Sequence, residues 1–332
     1  MKKVLTTLIA LVATASTVLA IDANTVEIKF NGNTATINMA SNISSYVTVT
    51  SGISSHVTIV QSSTFQGVNP STDNEDGEII YLLSGSSTNG SLYLEGSFKC
   101  TVTLNALTLA NPSGPALNIQ NGKRTKLSLK KGTTSTLSDG ANEEYNGCIH
   151  CKGHLKLSGK GTLNISGNSK HAIYSKEYFE VKNSTVNITA AQKDGIHCKE
   201  YFLMESGTLN ISNTVEDGIQ VELSDDPITG ITTDHEDENT GNFYMLDGTL
   251  TLSSYGGKAI KADGSITYSG GTRNFNTADT EMYSTINAVT TSTAGRNATY
   301  DIGGRHIIGN GQPSRRGIML LRQKGQARKV IY

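Results

Sequence analysis

The fold is decided between Asn146 and Gly257, where one phrase recurs: GCIHCKGHLKLSGKGTLNIS (147–166), HAIYSKEYFEVKNSTVNIT (171–189), DGIHCKEYFLMESGTLNIS (194–212), then DGIQVE (217–222), an insertion, and GNFYMLDGTLTLS (241–253). The anchor isoleucines Ile149, Ile173, Ile196 and Ile219 are 24, 23 and 23 residues apart, and KAIKADGSITYSGG (258–271) opens a further copy at Ile260. A period in the twenties, with Gly or Asn at the breaks, marks a solenoid. Each copy holds three short alternating runs, such as Ile196/Cys198, Phe202/Met204 and Leu209/Ile211. Alternation at period two means strands with one face in and one face out. No copy holds a run long enough for an amphipathic helix, which disfavours a leucine-rich repeat. The expectation is an all-β, right-handed parallel β-helix of three strands per turn, about 23 residues per turn, its turns stacked ~4.8 Å apart.

Outward from this core, residues 1–20 read as a secretory signal: Lys2 and Lys3, an apolar run from Val4, and the small-residue site Val18-Leu19-Ala20. The run is too short and too rich in Thr and Ser to span a bilayer, and no other segment is a spanning candidate. The protein is therefore expected to be secreted or held at the outer cell surface. Residues 21–112 have the same alternating texture with less regularity and are expected to supply an N-terminal cap and the first turns, which shield the open end of the stack. The regular region spans 113–275, a Thr/Ser/Asn-rich linker 276–298, and a basic tail 299–332.

The net charge of −1 hides a division: the leader lysines contribute +2 and the chain from Arg296 onward +7, which leaves −10 on residues 21–295. That body holds two arginines, Arg124 and Arg273, so it lacks the clustered cations of a nucleic-acid surface. A hydrophobic content of 36% with 34 glycines suits a narrow core with many turns better than a layered globule. Four cysteines in an exported chain raise disulfides. Cys151 and Cys198, however, fall two turns apart, roughly 9–10 Å, beyond the reach of about 7 Å between bridged Cα atoms. The same spacing defeats a zinc site built from Cys148, Cys151, His150 and His197. Packing inside the stack, in one column with Ser175, Val221 and Ala262, is the better account of Cys151 and Cys198.

Stacking turns equal repeat positions into outward rows. One row is His150, Tyr174, His197, Gln220 and Lys261; the next is Lys152, Lys176, Lys199, Glu222 and Asp263; a third is His154, Tyr178, Tyr201 and Phe243. Flat aromatic faces and hydrogen-bonding tips suit sugar rings, and lysines suit uronate carboxylates. The carbohydrate-binding candidates are therefore Tyr174, His197, Lys176, Lys199, Tyr178, Tyr201 and Phe243, against the alternative that these are ordinary solvated residues. Thr162, Thr185, Thr208 and Thr249, with Asn164, Asn187 and Asn210, are expected to be structural ladders; ice binding is disfavoured because Asn, not a second Thr row, lies beside them. Asp194 and Asp217 sit roughly 5 Å apart in adjacent turns, so a cation or their column neighbours His171 and Lys258 must offset the repulsion. With the insertion LSDDPITGITTDHEDENTGN (223–242) close by, the metal candidates are Asp194, Asp217, Glu222, Asp225, Asp226 and Asp237, and hard oxygen donors point to calcium. A solvated acidic loop is the alternative.

The ordered phrases KGTTSTLSDG (131–140), GHLKLSGKGTLNISGNSKHAIYSKEYFEV (153–181) and the DGI motifs at Asp194 and Asp217 resemble the secreted β-helix carbohydrate-binding domain family, related to polysaccharide lyases, over roughly 90–272. The resemblance implies a right-handed parallel β-helix that binds pectin and cellulose without lyase activity and carries calcium. The tail ATYDIGGRHIIGNGQPSRRGIMLLRQKGQARKVIY (298–332) resembles the sorting tails of type IX secretion substrates through Tyr300, Asp301, Gly304, Arg305, Gly317, Ile318, Lys329 and Val330, although no full sorting domain precedes it. The expected function is non-catalytic binding of acidic plant cell-wall glycans by a monomer, assisted by calcium because a −10 surface repels polygalacturonate. A calcium-dependent lyase is the alternative; with two body arginines, Lys176 or Lys199 would have to act as its base. A structural or adhesive surface protein is the second alternative.

Overall fold

The computed structural model describes residues 21–51, 55–68, 77–141, 143–224 and 239–275, together with the backbone of 281–283, 299–300, 318–323 and 326–331. The architecture is all-β. Every repeat contributes one strand to each of three parallel ladders, as the alternation requires. In the copy opened by Ile173 these strands are His171–Ser175, Phe179–Lys182 and Thr185–Ala191. Each pairs in parallel with its equivalents one repeat before and one repeat after.

The first ladder carries the anchors in register: Ile149↔Ile173, Ile173↔Ile196, Ile196↔Ile219 and Ile219↔Ile260. All five are fully buried. The next inward position runs Cys151, Ser175, Cys198, Val221, Ala262. All four cysteines are free and buried, and burial pushes their thiols up. The glycine of each DGI phrase is required by close approach. A Cβ on Gly195 would lie 2.7 Å from the Gly218 carbonyl oxygen, and one on Gly218 2.6 Å from that of Ala259.

The second ladder buries Leu155↔Phe179, Phe179↔Phe202 and Phe202↔Phe243. Its rings stack at 5.6 Å and 29°, then at 4.7 Å and 5°. Aromatic stacking of this kind is worth about 0.5–1.5 kcal/mol per pair beyond area burial. The third ladder aligns Thr162↔Thr185, Thr185↔Thr208 and Thr208↔Thr249 on its outer face. Beside them Asn187 Nδ2 donates to Asn164 Oδ1 at 2.9 Å, and Asn210 Nδ2 to Asn187 Oδ1 at 2.8 Å. The Thr and Asn rows are thus matched neighbours that tie one strand to the next.

Near the N-terminal end the second and third ladders join, because Cys100–Asn111 runs through both, bent at Ala106 (φ +51°). The outermost strands there are antiparallel: Thr34–Met39 on Thr25–Asn31, and Val47–Ser51 on Ser55–Gln61. They change the pairing direction at both sheet ends, so the parallel stacking rule stops there. At the other end the insertion leaves the register intact. Ser224 and Asn239 exchange hydrogen bonds at its base (2.7 and 2.9 Å), and Leu223 N–H donates to Asp263 Oδ2 at 3.0 Å.

The chain divides into two compact units at 282/283. Within the second, Ile318–Gln323 and Gln326–Ile331 form an antiparallel pair that Thr299–Tyr300 joins. No helix among the described residues is long and apolar enough to cross a membrane.

Candidate functional site

The outward rows exist, but they differ from one another in what they expose. Tyr174 is half-buried; its ring stacks on His150 at 5.2 Å and 12° and faces His197 at 5.4 Å and 32°. Stacked neighbours occupy its faces, so it offers an edge and a hydroxyl. Lys176 and Lys199 are half-buried, and Lys152 is exposed, in the next row out.

The third row does not behave as expected. Tyr178 is fully buried, with His154 at 4.1 Å on one side and Tyr201 at 4.8 Å on the other. Tyr201 is buried as well, and its hydroxyl donates to Glu180 Oε1 at 2.8 Å. An outward position is no guarantee of exposure when rings 23 residues apart lie over one another. Neither tyrosine presents a ring face to a sugar. Phe243 is not in this row at all: Asn242 pairs with Tyr201, and Phe243 pairs with Phe202 inside the core. The ladder keeps its register across the insertion, and an alignment displaced there by one residue exchanges the two faces of the strand.

His197 is also buried, and both ring nitrogens are engaged, Nδ1 with Asp194 Oδ2 at 3.1 Å and Nε2 with Glu222 Oε2 at 3.3 Å. It is a buried connector, not a glycan contact. Asp194 has no exposure and Asp217 little. Each carboxylate accepts the backbone N–H of the next copy: Asp217 N–H to Asp194 Oδ1 at 2.8 Å, and Lys258 N–H to Asp217 Oδ1 at 2.6 Å. His171 Nδ1 stands 3.2 Å from Asp194 Oδ2, and Lys261 Nζ 3.8 Å from Asp217 Oδ2. These groups offset the repulsion between the aspartates.

Burial pushes the Asp194 carboxyl up, but the hydrogen bonds of His171 and His197 outweigh it and hold Asp194 well below the usual carboxylate range. Asp217 is raised, by burial first and by Asp194 as well. Glu222 is lowered by its bond to His197. Calcium takes six to eight oxygens, whereas the donors that meet Asp194 Oδ2 are two imidazole nitrogens. The residues around Asp194 therefore do not fit calcium. Asp225, Asp226 and Asp237 lie outside the described residues.

One feature was missed in the sequence. On the outer face of the second ladder Thr101, Lys126, Lys156 and Glu180 are in register, with Ser158 and Lys182 in the parallel row. They line a groove of about 540 Å³ together with Glu78, Lys99, Arg124 and Glu205. Arg124 pairs with Glu78 at 2.9 Å, Lys156 with Glu180 at 2.9 Å, and Lys182 with Glu205 at 2.5 Å. Five cations against three carboxylates give this groove a positive balance on a negative body. The signal that would have found it is the position seven past each anchor, Lys156 and Glu180 after Ile149 and Ile173.

A family profile described as carbohydrate-binding domain-containing protein matches residues 71–312, most of the chain. The chain belongs to that family. The repeat strands from Cys100 to Phe275, the groove and the Asp194 cluster fall within the match. Among solved structures, the polysaccharide lyase-like protein from C. thermocellum (a gadolinium derivative) superposes with a TM-score of 0.54 at 16% identity, covering 78% of this chain and 99% of that one. At that identity the likeness concerns the fold alone. No curated protein matches the chain in sequence.

Proposed function

We propose that the protein is an exported, non-catalytic polysaccharide-binding protein whose three ladders wind as a right-handed parallel β-helix, three strands to a turn. Membership of the carbohydrate-binding family supports the substrate class. The observation that carries the site is the groove on the second ladder, where Lys126, Lys156 and Lys182 stand on stacked strands with Lys99 and Arg124 beside them. Lys126 and Lys156 stand in register on strands ~4.8 Å apart, and Lys182 lies one strand further in the adjoining row, beside Glu180; this run of cations suits a linear glycan bearing a carboxylate on each ring. Polygalacturonate is therefore the preferred ligand over neutral cellulose. The Tyr174 edge and the Lys152, Lys176 and Lys199 row supply a second contact line.

Calcium is proposed as an aid held jointly by glycan and surface carboxylates, away from Asp194, since the body carries −10. Export rests on the N-terminal leader and the basic tail. The non-catalytic reading draws support from the two body arginines: Arg124 is tied to Glu78, and Arg273 lies over the Tyr268 ring at 3.9 Å. Neither is placed as a free base. A polysaccharide pull-down with and without calcium, followed for unsaturated uronides, tests the proposal. Retention of polygalacturonate without product is expected. Product release would establish a lyase, and absence of retention on any polysaccharide would favour an adhesive or structural role.

A further inference from the structure

The cluster of His171, Asp194 and His197 takes no part in the groove. We propose that it binds one divalent transition-metal ion of the zinc class, with His171 Nδ1, Asp194 Oδ2 and His197 Nδ1 as its three protein ligands. The inference is independent of the glycan reading.

The geometry is that of converging donors. Asp194 Oδ2 is 3.2 Å from His171 Nδ1 and 3.1 Å from His197 Nδ1, and all three atoms lie within 4.8 Å of one another. Bonds of ~2.0–2.2 Å to a tetrahedral zinc separate its ligand atoms by roughly 3.3 Å. Small movements would complete the set.

Proton accounting points the same way. The backbone N–H of Asp194 donates to His171 Nδ1 at 3.2 Å. A ring nitrogen that accepts has a lone pair and no proton. The same nitrogen also stands 3.2 Å from Asp194 Oδ2, to which it donates only in the other tautomer, so one atom cannot serve both partners. A cation between the two removes the conflict.

The neighbours are arranged to aim the ligands. Asp194 Oδ1 is fixed by the Asp217 N–H at 2.8 Å, which leaves Oδ2 to face the imidazoles. His197 turns its other nitrogen to Glu222 Oε2 at 3.3 Å, the carboxylate–imidazole–metal arrangement that orients ligating histidines. Two nitrogens and one oxygen suit zinc, copper or nickel over calcium. With three protein donors, the fourth position falls to water or to an oxygen of a bound ligand. The Tyr174 ring stands beside it, 6.0 Å from the His171 ring and 5.4 Å from that of His197.

The test uses the untagged chain, stripped with chelator and titrated calorimetrically with zinc or calcium chloride, with cobalt(II) as a spectroscopic probe. One equivalent of zinc is expected to bind and to raise the melting temperature, calcium to leave it unchanged, and cobalt to give the visible absorption of a four-coordinate site. His171→Ala should abolish all three zinc-class signals, and its column neighbour Gly147 shows that a small residue is accepted there. Glu222→Gln should weaken zinc about 10–100-fold while the stripped protein melts as the parent does. No zinc-dependent shift in the parent, or an equal shift in His171→Ala, would overturn the site and leave a hydrogen-bonded His–Asp–His cluster. Pull-down of the stripped protein on polygalacturonate reads the groove separately, so either proposal can fail alone.

Discussion

Two buried histidine–carboxylate clusters lie in neighbouring parts of the same stack, and they are built in opposite senses. In one, His154 stands between two carboxylates, Nδ1 to Glu177 Oε2 at 2.8 Å and Nε2 to Glu200 Oε2 at 3.2 Å. In the other, Asp194 stands between two imidazoles, His171 and His197. The ring nitrogens of one imidazole diverge, so His154 cannot turn both toward a single ion. It ties three copies together through its two ring nitrogens, one to each carboxylate. Two imidazoles turned toward one carboxylate oxygen converge, and convergence is what a metal requires. The same residue types thus give a fastener in one place and a ligand set in the other, decided by which residue sits in the middle.

The largest expected effect comes from breaking the fastener. His154→Ala leaves Glu177 and Glu200 without their shared partner and should cost about 3–5 kcal/mol in denaturant unfolding, the usual penalty for breaking a buried ion pair. Zinc should not restore it. In stripped protein His197→Ala should cost less, about 1–3 kcal/mol for hydrogen bonds to a charged group, and should remove stabilisation by zinc. Equal costs and equal zinc responses in the two variants would erase the distinction.

Acidity sharpens it further. Burial lowers His154, but Glu177 and Glu200 raise it more, so its folded-state affinity for a proton exceeds the unfolded one. That contribution is present in full below pH ~6.5 and is lost as pH rises through the folded value. Asp139 acts in a lower window. Burial, only partly offset by backbone donors including Asn168 N–H at 2.5 Å, raises its carboxyl to about 6. The folded state then holds the extra proton between pH 4 and 6, so stability falls as pH rises across that window. Asp139→Asn keeps an acceptor and should flatten the dependence there, gaining about 1–2 kcal/mol at pH 7. The decline above pH 6.5 should persist in Asp139→Asn and shrink in His154→Ala, where His197, raised by Asp194 and Glu222 against its burial, keeps the remainder. The smallest effect belongs to neutral fasteners: Asn187→Ala interrupts the amide ladder and should cost about 1 kcal/mol.

The ladder framework was legible because the anchors repeat without error. Ile149, Ile173, Ile196 and Ile219 pair as their spacing requires, as do the Thr and Asn rows. Phe243 was misplaced because the insertion hides the register, yet the cue was present: Phe179/Val181, Phe202/Met204 and Phe243/Met245 alternate identically. Tyr178 and Tyr201 were misread for a physical reason, since period-two alternation gives the direction of a side chain and says nothing about the ring above it. The meeting of His171 with His197 was out of reach. His171 and Asp194 share one column and His197 belongs to another, and they converge only because Asp194 sits at the turn that leads into Ile196.

Affinity electrophoresis through gels containing polygalacturonate addresses the glycan groove most directly. The parent protein should be retarded, and Lys126→Glu/Lys156→Glu, with the groove's charge reversed and the ladders intact by far-ultraviolet circular dichroism, should migrate as in a gel without polysaccharide. Equal retardation of both proteins would place the glycan elsewhere on the surface and contradict the account.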